Sequence, residues 1–178
     1  AFMTRSTQLT ALQHPHLARV VAGGTDATHA WWAYDDTSIS TLDEQLASDT
    51  PPPLDRCLSM LAEVCRAAAH AWAQGVTFLD LRPAWLWIAA DGNPLVAGYR
   101  PPPTEGRDVD TGMTHADVLR HASHEEVLGT QQDARSVVFT LGIVLHEVVT
   151  GQRLFDGDRP VDLAQQILYG KVPTLVLP

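Results

Sequence analysis

Between residues 54 and 72 the apolar positions recur at helical spacing. Leu54, Cys57, Leu58, Leu61, Val64, Cys65, Ala68 and Trp72 fall on one stripe, which predicts a long core helix. A second buried helix is expected over roughly 133 to 150, with Val137, Val138, Leu141, Val144, Leu145 and Val148 inside and Gly151 as its terminator. Shorter amphipathic patterns predict helices over 2 to 13, with Phe2, Leu9 and Leu12 on one side, and from about Val161 to Tyr169. The first of these ends before His14-Pro15, where the residue ahead of a proline is pushed out of helical geometry. Residues 41 to 48 offer one more short helix, with Thr41 as cap and Glu44 at the capping-box spacing. LARVVAGG (17 to 24) and HAWWAY (29 to 34) read as antiparallel strands joined by a TDAT turn. LWIA and PLVA, within 85 to 97, read as a hairpin across ADGN. Prolines 51 to 53 are a stiff break, and residues 100 to 120, proline-rich and then polar, read as a loop.

Composition narrows the class. A chain of 178 residues suits one domain, or one with a small appendage, and 45% apolar with 19% charged residues is an ordinary globular balance. The 21 acidic residues against 12 basic ones give a net charge of -9, which excludes a phosphate-backbone partner: no nucleic acid is expected. Lys171 is the sole lysine. Cys57 and Cys65 lie too far apart along one helical pattern to bond each other, and both read as small core residues. No zinc spacing occurs, so no metal is expected, and His115, His121 and His124 read as solvated loop residues. No apolar run approaches the roughly 20 residues that span a bilayer and no secretory leader opens the sequence, so a soluble cytoplasmic domain is expected. The chain begins Ala-Phe-Met, the mark of a fragment or of extra leading residues.

The order of these segments resembles the protein kinase fold of bacterial Ser/Thr type. GVTFLDLRPAWLWI is similar to the kinase catalytic loop, ADGNPLVAGYR to the hairpin leading into the Asp-Phe-Gly motif, and SVVFTLGIVLHEVVTGQRLFDG to the buried helix and following turn of the C-lobe. Upstream, LTALQHPHLARVV resembles the helix-to-strand junction of the N-lobe, and AWWAYDDTSISTLDEQL the strand, hinge and helix facing adenine. The resemblance implies an α+β, kinase-like fold. Residues 1 to 40 would be a remnant N-lobe and hinge of one helix and about two antiparallel strands, and 41 to 178 a mostly α-helical C-lobe lacking its last two helices.

The resemblance also assigns site residues. Asp80 stands at the aspartate that orients the acceptor hydroxyl, and Arg82 where a lysine contacts the moving phosphate. The His and Arg before that aspartate are Phe78 and Leu79. Trp85 replaces the asparagine that holds magnesium, and Gly98-Tyr99-Arg100 replace Asp-Phe-Gly. The glycine-rich loop and its lysine would precede residue 2, and their helix glutamate aligns with Arg5. Glu125 matches a structural glutamate whose arginine partner would come from the missing end. On this reading Asp80 and Arg82 are vestigial, stabilising the loop through backbone hydrogen bonds and a local ion pair, and Asp80→Asn leaves the biological role intact. The expected function is then a catalytically inactive pseudokinase, a protein-binding scaffold or signalling adaptor with no cofactor. The alternatives are a structural subunit of a larger assembly, or a weak, atypical kinase completed by another chain.

Remaining features are weighed against plainer roles. Trp31, Trp32, Trp85 and Trp87 read as core or partner surface, plugging the place of the nucleotide, with Trp31 and Trp32 as candidate partner contacts on opposite faces of one strand. Gly23-Gly24 reads as a turn and not as a phosphate cradle. Thr104, Thr111 and Thr114 fall in the region of an activation segment. Thr114, with Asp117 three residues on, is the candidate phosphosite for a forkhead-associated phosphothreonine reader. The expected partner is thus another protein, a phosphothreonine-reading domain or an assembly subunit.

Overall fold

The structure is a computed structural model that describes residues 2–26, 29–35, 39–48, 50, 52–77, 79–100 and 115–174. It divides into two compact units, Ala1–Pro52 with Ser59–Val109, and Pro53–Leu58 with Asp110–Pro178.

In the first unit, helix α1 (Phe2–Ala11) buries Leu9 and packs on strand β1 (Val20–Thr25), which pairs antiparallel with β2 (Ala30–Tyr34). The strand β1 begins later than its apolar run suggested. Leu17 instead bridges to Val96, and Ala18 N donates to the Val96 carbonyl at 2.9 Å. Gly23 and Gly24 are not a turn but lie inside β1, opposite Trp32 and Trp31. A Cβ on Gly23 would meet Ser6 Oγ at 2.2 Å and Trp32 Cδ1 at 2.6 Å, so glycine is what lets α1 and the indole approach the strand.

A short strand β3 (Ile39–Thr41) leads directly into α2 (Leu42–Leu46), and the Thr41–Glu44 capping box forms in both directions, at 3.1 and 2.8 Å. The long helix α3 (Leu54–Ala73) is present, with its buried face rotated from the expected stripe. Cys57, Met60, Leu61, Val64, Ala67, Ala68 and Ala71 are inside. Leu58 is exposed, and Cys65, read as a core residue, is exposed too. Three alanines define the true face, and small residues carry too little hydrophobic contrast to mark it by pattern. Beyond it come β4 (Leu79–Asp80), β5 (Leu86–Ala89), β6 (Pro94–Val96) and β7 (Gly98–Tyr99). The expected hairpin is β5–β6, turned through Gly92 at φ 84°, and β3 adds to it in the order β3-β5-β6. A separate antiparallel pair joins β4 to β7.

The second unit holds α4 (His115–Leu119), α5 (His124–Val127), α6 (Ala134–Thr150) and α7 (Pro160–Tyr169). Part of the expected loop over 100 to 120 is therefore helical. Ala116, Ala122, Ile143, Phe155, Leu163 and Ile167 form its core. On α6, Val138, expected inside, is 70% exposed, while Ser136 and Thr140 are buried. The physical reason is pairing: Ser136 Oγ donates to Glu125 Oε2 at 2.8 Å and Thr140 Oγ1 to the His121 carbonyl at 3.1 Å, so these hydroxyls are satisfied indoors. Gly151 ends α6 at φ 66° with nothing within 4 Å of where a Cβ would sit. Gly151→Ala is therefore expected to cost about 1 kcal/mol from backbone strain alone, with Gly151→Asn milder, measured by denaturant unfolding. Lys171 is exposed just past α7. Among the described residues no helix is long and apolar enough to cross a membrane.

Candidate functional site

Asp80 occupies the end of a strand only two residues long. Its register against β7 places Leu79 opposite Tyr99 and Asp80 opposite Gly98. The chain then leaves β4 through Arg82, extended at φ -63° and ψ 149°, into a 3-10 turn (Pro83–Trp85) that begins with a proline suited to that position. Trp85 N donates to the Arg82 carbonyl at 2.8 Å, and Ala97 N donates to the Trp85 carbonyl at 3.0 Å. This ties the turn to the run between β6 and β7. Tyr34 Oη donates to the Ala97 carbonyl at 2.7 Å and Tyr99 Oη to the Ala18 carbonyl at 3.2 Å, and burial raises both phenols, Tyr34 to about 12.

The Asp80 carboxylate is buried and clamped. Its Oδ1 accepts from Arg82 N at 3.2 Å and Arg82 Nε at 2.8 Å, and its Oδ2 accepts from Arg82 Nε at 3.0 Å and from Arg82 Nη2. The expected ion pair and backbone hydrogen bond are thus both present. Arg100 adds a second guanidinium, its Nε 4.0 Å from Asp80 Oδ2, and Arg5 Nη1 donates to the Arg100 carbonyl at 2.8 Å. Burial pushes the Asp80 carboxyl upward. The Arg82 hydrogen bonds, with the charges of Arg82 and Arg100, outweigh that and hold it below its ordinary value. For Arg100 burial lowers the guanidinium, Asp80 raises it and Arg82 lowers it again, leaving it below its usual range.

Magnesium does not fit the groups this chain places here. A hard cation needs several oxygen ligands. Trp85 offers an indole. Gly98 offers no side chain, and a Cβ there would lie 2.2 Å from the Asp80 carbonyl, 2.7 Å from Asp80 Cβ and 2.8 Å from Trp85 Cβ. Among the described residues the buried Trp85 Nε1 donor has no hydrogen-bond partner.

Other candidates fall elsewhere. Trp31 is 48% exposed, whereas Trp32 stacks on Phe2 at 4.9 Å and meets Tyr99 edge-on at 6.4 Å, so the pair divides between two faces of β2. Trp87 packs edge-on against Tyr34 at 5.0 Å. Phe78, Thr104, Thr111 and Thr114 lie outside the described residues, and Asp117 pairs with Arg120. Two of the three histidines are not simply solvated: His121 Nε2 meets Glu147 Oε2 at 2.9 Å, and His124 sits edge-on to Phe139 at 4.9 Å, while the side chain of His115 lies outside the described residues. Glu125 takes Ser136 as its partner, and that hydrogen bond holds its carboxyl below the ordinary value. The contact of Arg100 with Asp80 was not foreseen, because it depends on the β4–β7 pairing.

No family model matches the chain. Similar proteins are found among bacterial kinases. The serine/threonine-protein kinase PknB of Mycobacterium leprae is 28% identical over 171 residues, 93% of this chain. The probable PknB of Lactococcus lactis is 21% identical over 179 residues, 98% of this chain, and a probable serine/threonine-protein kinase of Clostridium perfringens is 26% identical over 174 residues, 96% of it. The chain spans 28%, 28% and 25% of the length of these three relatives. Together with the mixed helices and small antiparallel sheets, they support an α+β, protein kinase-like fold of bacterial type. They also correct the expected function. The relatives are named as Ser/Thr protein kinases and not as inactive ones, so the reading of this chain as a catalytically dead scaffold or adaptor is set aside.

Proposed function

We propose that the chain is an atypical, weak protein kinase-like module whose phosphoryl-transfer site is completed by another chain. The observation that supports this most is the Asp80–Arg82 pair, an ionised acceptor and a cation held side by side on one short turn. The relatives named as kinases support it as well.

In this reading the Asp80 carboxylate accepts a hydrogen bond from a Ser or Thr hydroxyl and aims its oxygen, while Arg82 faces the transferred phosphoryl group in place of lysine. Both need Arg82 to give up one edge of Asp80, which makes turnover slow. Among the described residues, Trp85 and Gly98 give magnesium no oxygen side chain beside Asp80, and the groups that place the nucleotide come from the completing chain.

The test is transfer of labelled γ-phosphate from ATP to a mixture of Ser/Thr peptides, using the intact protein isolated from its own cells. Slow labelling above background is expected, reduced at least about a hundredfold by Asp80→Asn, an isostere that keeps most of the loop's hydrogen bonds. Equal labelling by wild type and variant would sink the proposal and favour a structural subunit.

A further inference from the structure

Between α1 and β1 two histidines have hydrogen bonds that fix where their protons sit. His14 Nδ1 accepts from the His16 backbone N–H at 3.1 Å, and His16 Nδ1 lies 3.1 Å from the Pro94 carbonyl. A carbonyl only accepts, so His16 carries its proton on Nδ1, whereas His14 keeps Nδ1 bare and places its proton on Nε2. The His70 ring of α3 lies 5.0 Å from that of His14, and the His16 ring 5.7 Å from it.

These bonds belong to a docking point. Val96 N donates to the His16 carbonyl and Ala18 N to the Val96 carbonyl, both at 2.9 Å, and Leu17 bridges to Val96. Leu17 N closes the turn on the His14 carbonyl at 3.1 Å. Residues 14 to 18 thus tie the end of α1 to β6, and α1 carries Arg5 to the Arg100 carbonyl beside Asp80.

A second proton on His14 has no place in this arrangement. It would set an Nδ1–H against the His16 N–H, donor to donor, and put a cation beside two imidazoles. The charged groups around it offer no relief. Arg19 lines the same cavity of about 480 Å³ and pairs with Asp35 at 3.5 Å. Strand β6 has no ionisable side chain, α1 has only Arg5, and α3 carries Arg66 and Glu63 ahead of His70. Burial, then His70 and His16, hold His14 below its ordinary 6.5.

We infer that His14 is an acid-sensitive latch: taking up a proton breaks its bond to the His16 amide and frees residues 14 to 18 from β6. The charged ring then turns into the cavity that it already lines. Folded His14 takes a proton less readily than the opened chain does. The latch is therefore fully closed above about pH 6.5 and weakens as pH falls from there toward the folded value. It operates whether or not the chain transfers phosphoryl groups.

Hydrogen–deuterium exchange of the intact protein tests it, at about pH 7.5 and about pH 5.5, with each rate corrected for the chemical exchange rate at that pH. Peptides carrying Ala18 and Val96 are expected to lose protection about fivefold in acid, the weight of one hydrogen bond. His14→Asn keeps a side-chain oxygen to accept the amide two residues on and takes up no proton, so protection should hold at both pH values. His70→Gln removes one neighbouring imidazole, should shrink the loss, and serves where the asparagine variant does not fold. No loss in wild type, the same loss in wild type and both variants, or a uniform loss over both units overturns the inference.

Discussion

Replacing Arg82 with methionine is expected to destabilise the fold by about 3 kcal/mol, because it strands a buried carboxylate without its main counter-charge. Asp80 and Arg82 are both buried, with three hydrogen bonds from the guanidinium and one from the backbone converging on the two carboxylate oxygens. Methionine matches much of the volume, so the loss is electrostatic and not a cavity. Arg100 remains near Asp80 and keeps the cost toward the lower end of the range for broken buried pairs. The pH dependence has a definite sign. The folded-state Asp80 carboxyl lies below its ordinary 3.8, so the pair contributes its full stability above about pH 4 and loses it as pH falls through the folded value. The wild-type advantage over Arg82→Met should therefore be greatest near neutrality and shrink in acid. Denaturant midpoints at pH 7 and at about pH 2 measure it, and Asp80→Asn combined with Arg82→Met should recover part of the loss. A single substitution that costs less than about 1 kcal/mol at pH 7 would mean the pair opens in solution.

Gly98→Asp, the change that writes the kinase carboxylate back into the sequence, is expected to damage the fold and not to restore magnesium binding. The new Cβ would lie 2.2 Å from the Asp80 carbonyl, and that obstacle is backbone held in the β4–β7 pair. Forced overpacking costs about 1–3 kcal/mol, and the second carboxylate beside Asp80 adds like-charge repulsion. Gly98→Ala separates these effects, since it carries the steric part alone. Both variants should unfold at lower denaturant than wild type, the aspartate more so at neutral pH. A stable Gly98→Asp protein that binds magnesium would show that the two strands part easily.

Local chemistry made much of this legible. The Thr41–Glu44 box, the Asp-Gly hairpin and the stop at Gly151 each depend on a few adjacent residues, and each formed where the sequence placed it. Faces were harder. Ser136 and Thr140 look like surface residues until Glu125 and the His121 carbonyl are seen to satisfy them, which turns Val138 outward. Strand β3 was missed because three residues acquire strand geometry only from their partner β5. The candidate site divides along the same line. The Asp80–Arg82 pair spans adjacent turns of chain and was foreseen, while the approach of Arg100 and the crowding at Gly98 arise from a two-residue pairing with no periodic signature.

The single lysine has a practical consequence at the bench. Every other basic side chain in the sequence is arginine or histidine, so Lys171 carries the only ε-amine among the 178 residues, and it is exposed immediately beyond α7. Among side chains, amine-reactive dyes or crosslinkers would therefore couple at one known address in the second unit, with a free α-amine as the other reactive amine. A fluorophore placed there reports on the second unit by anisotropy, and ε-amine crosslinking captures only neighbours that come within reach of that one address.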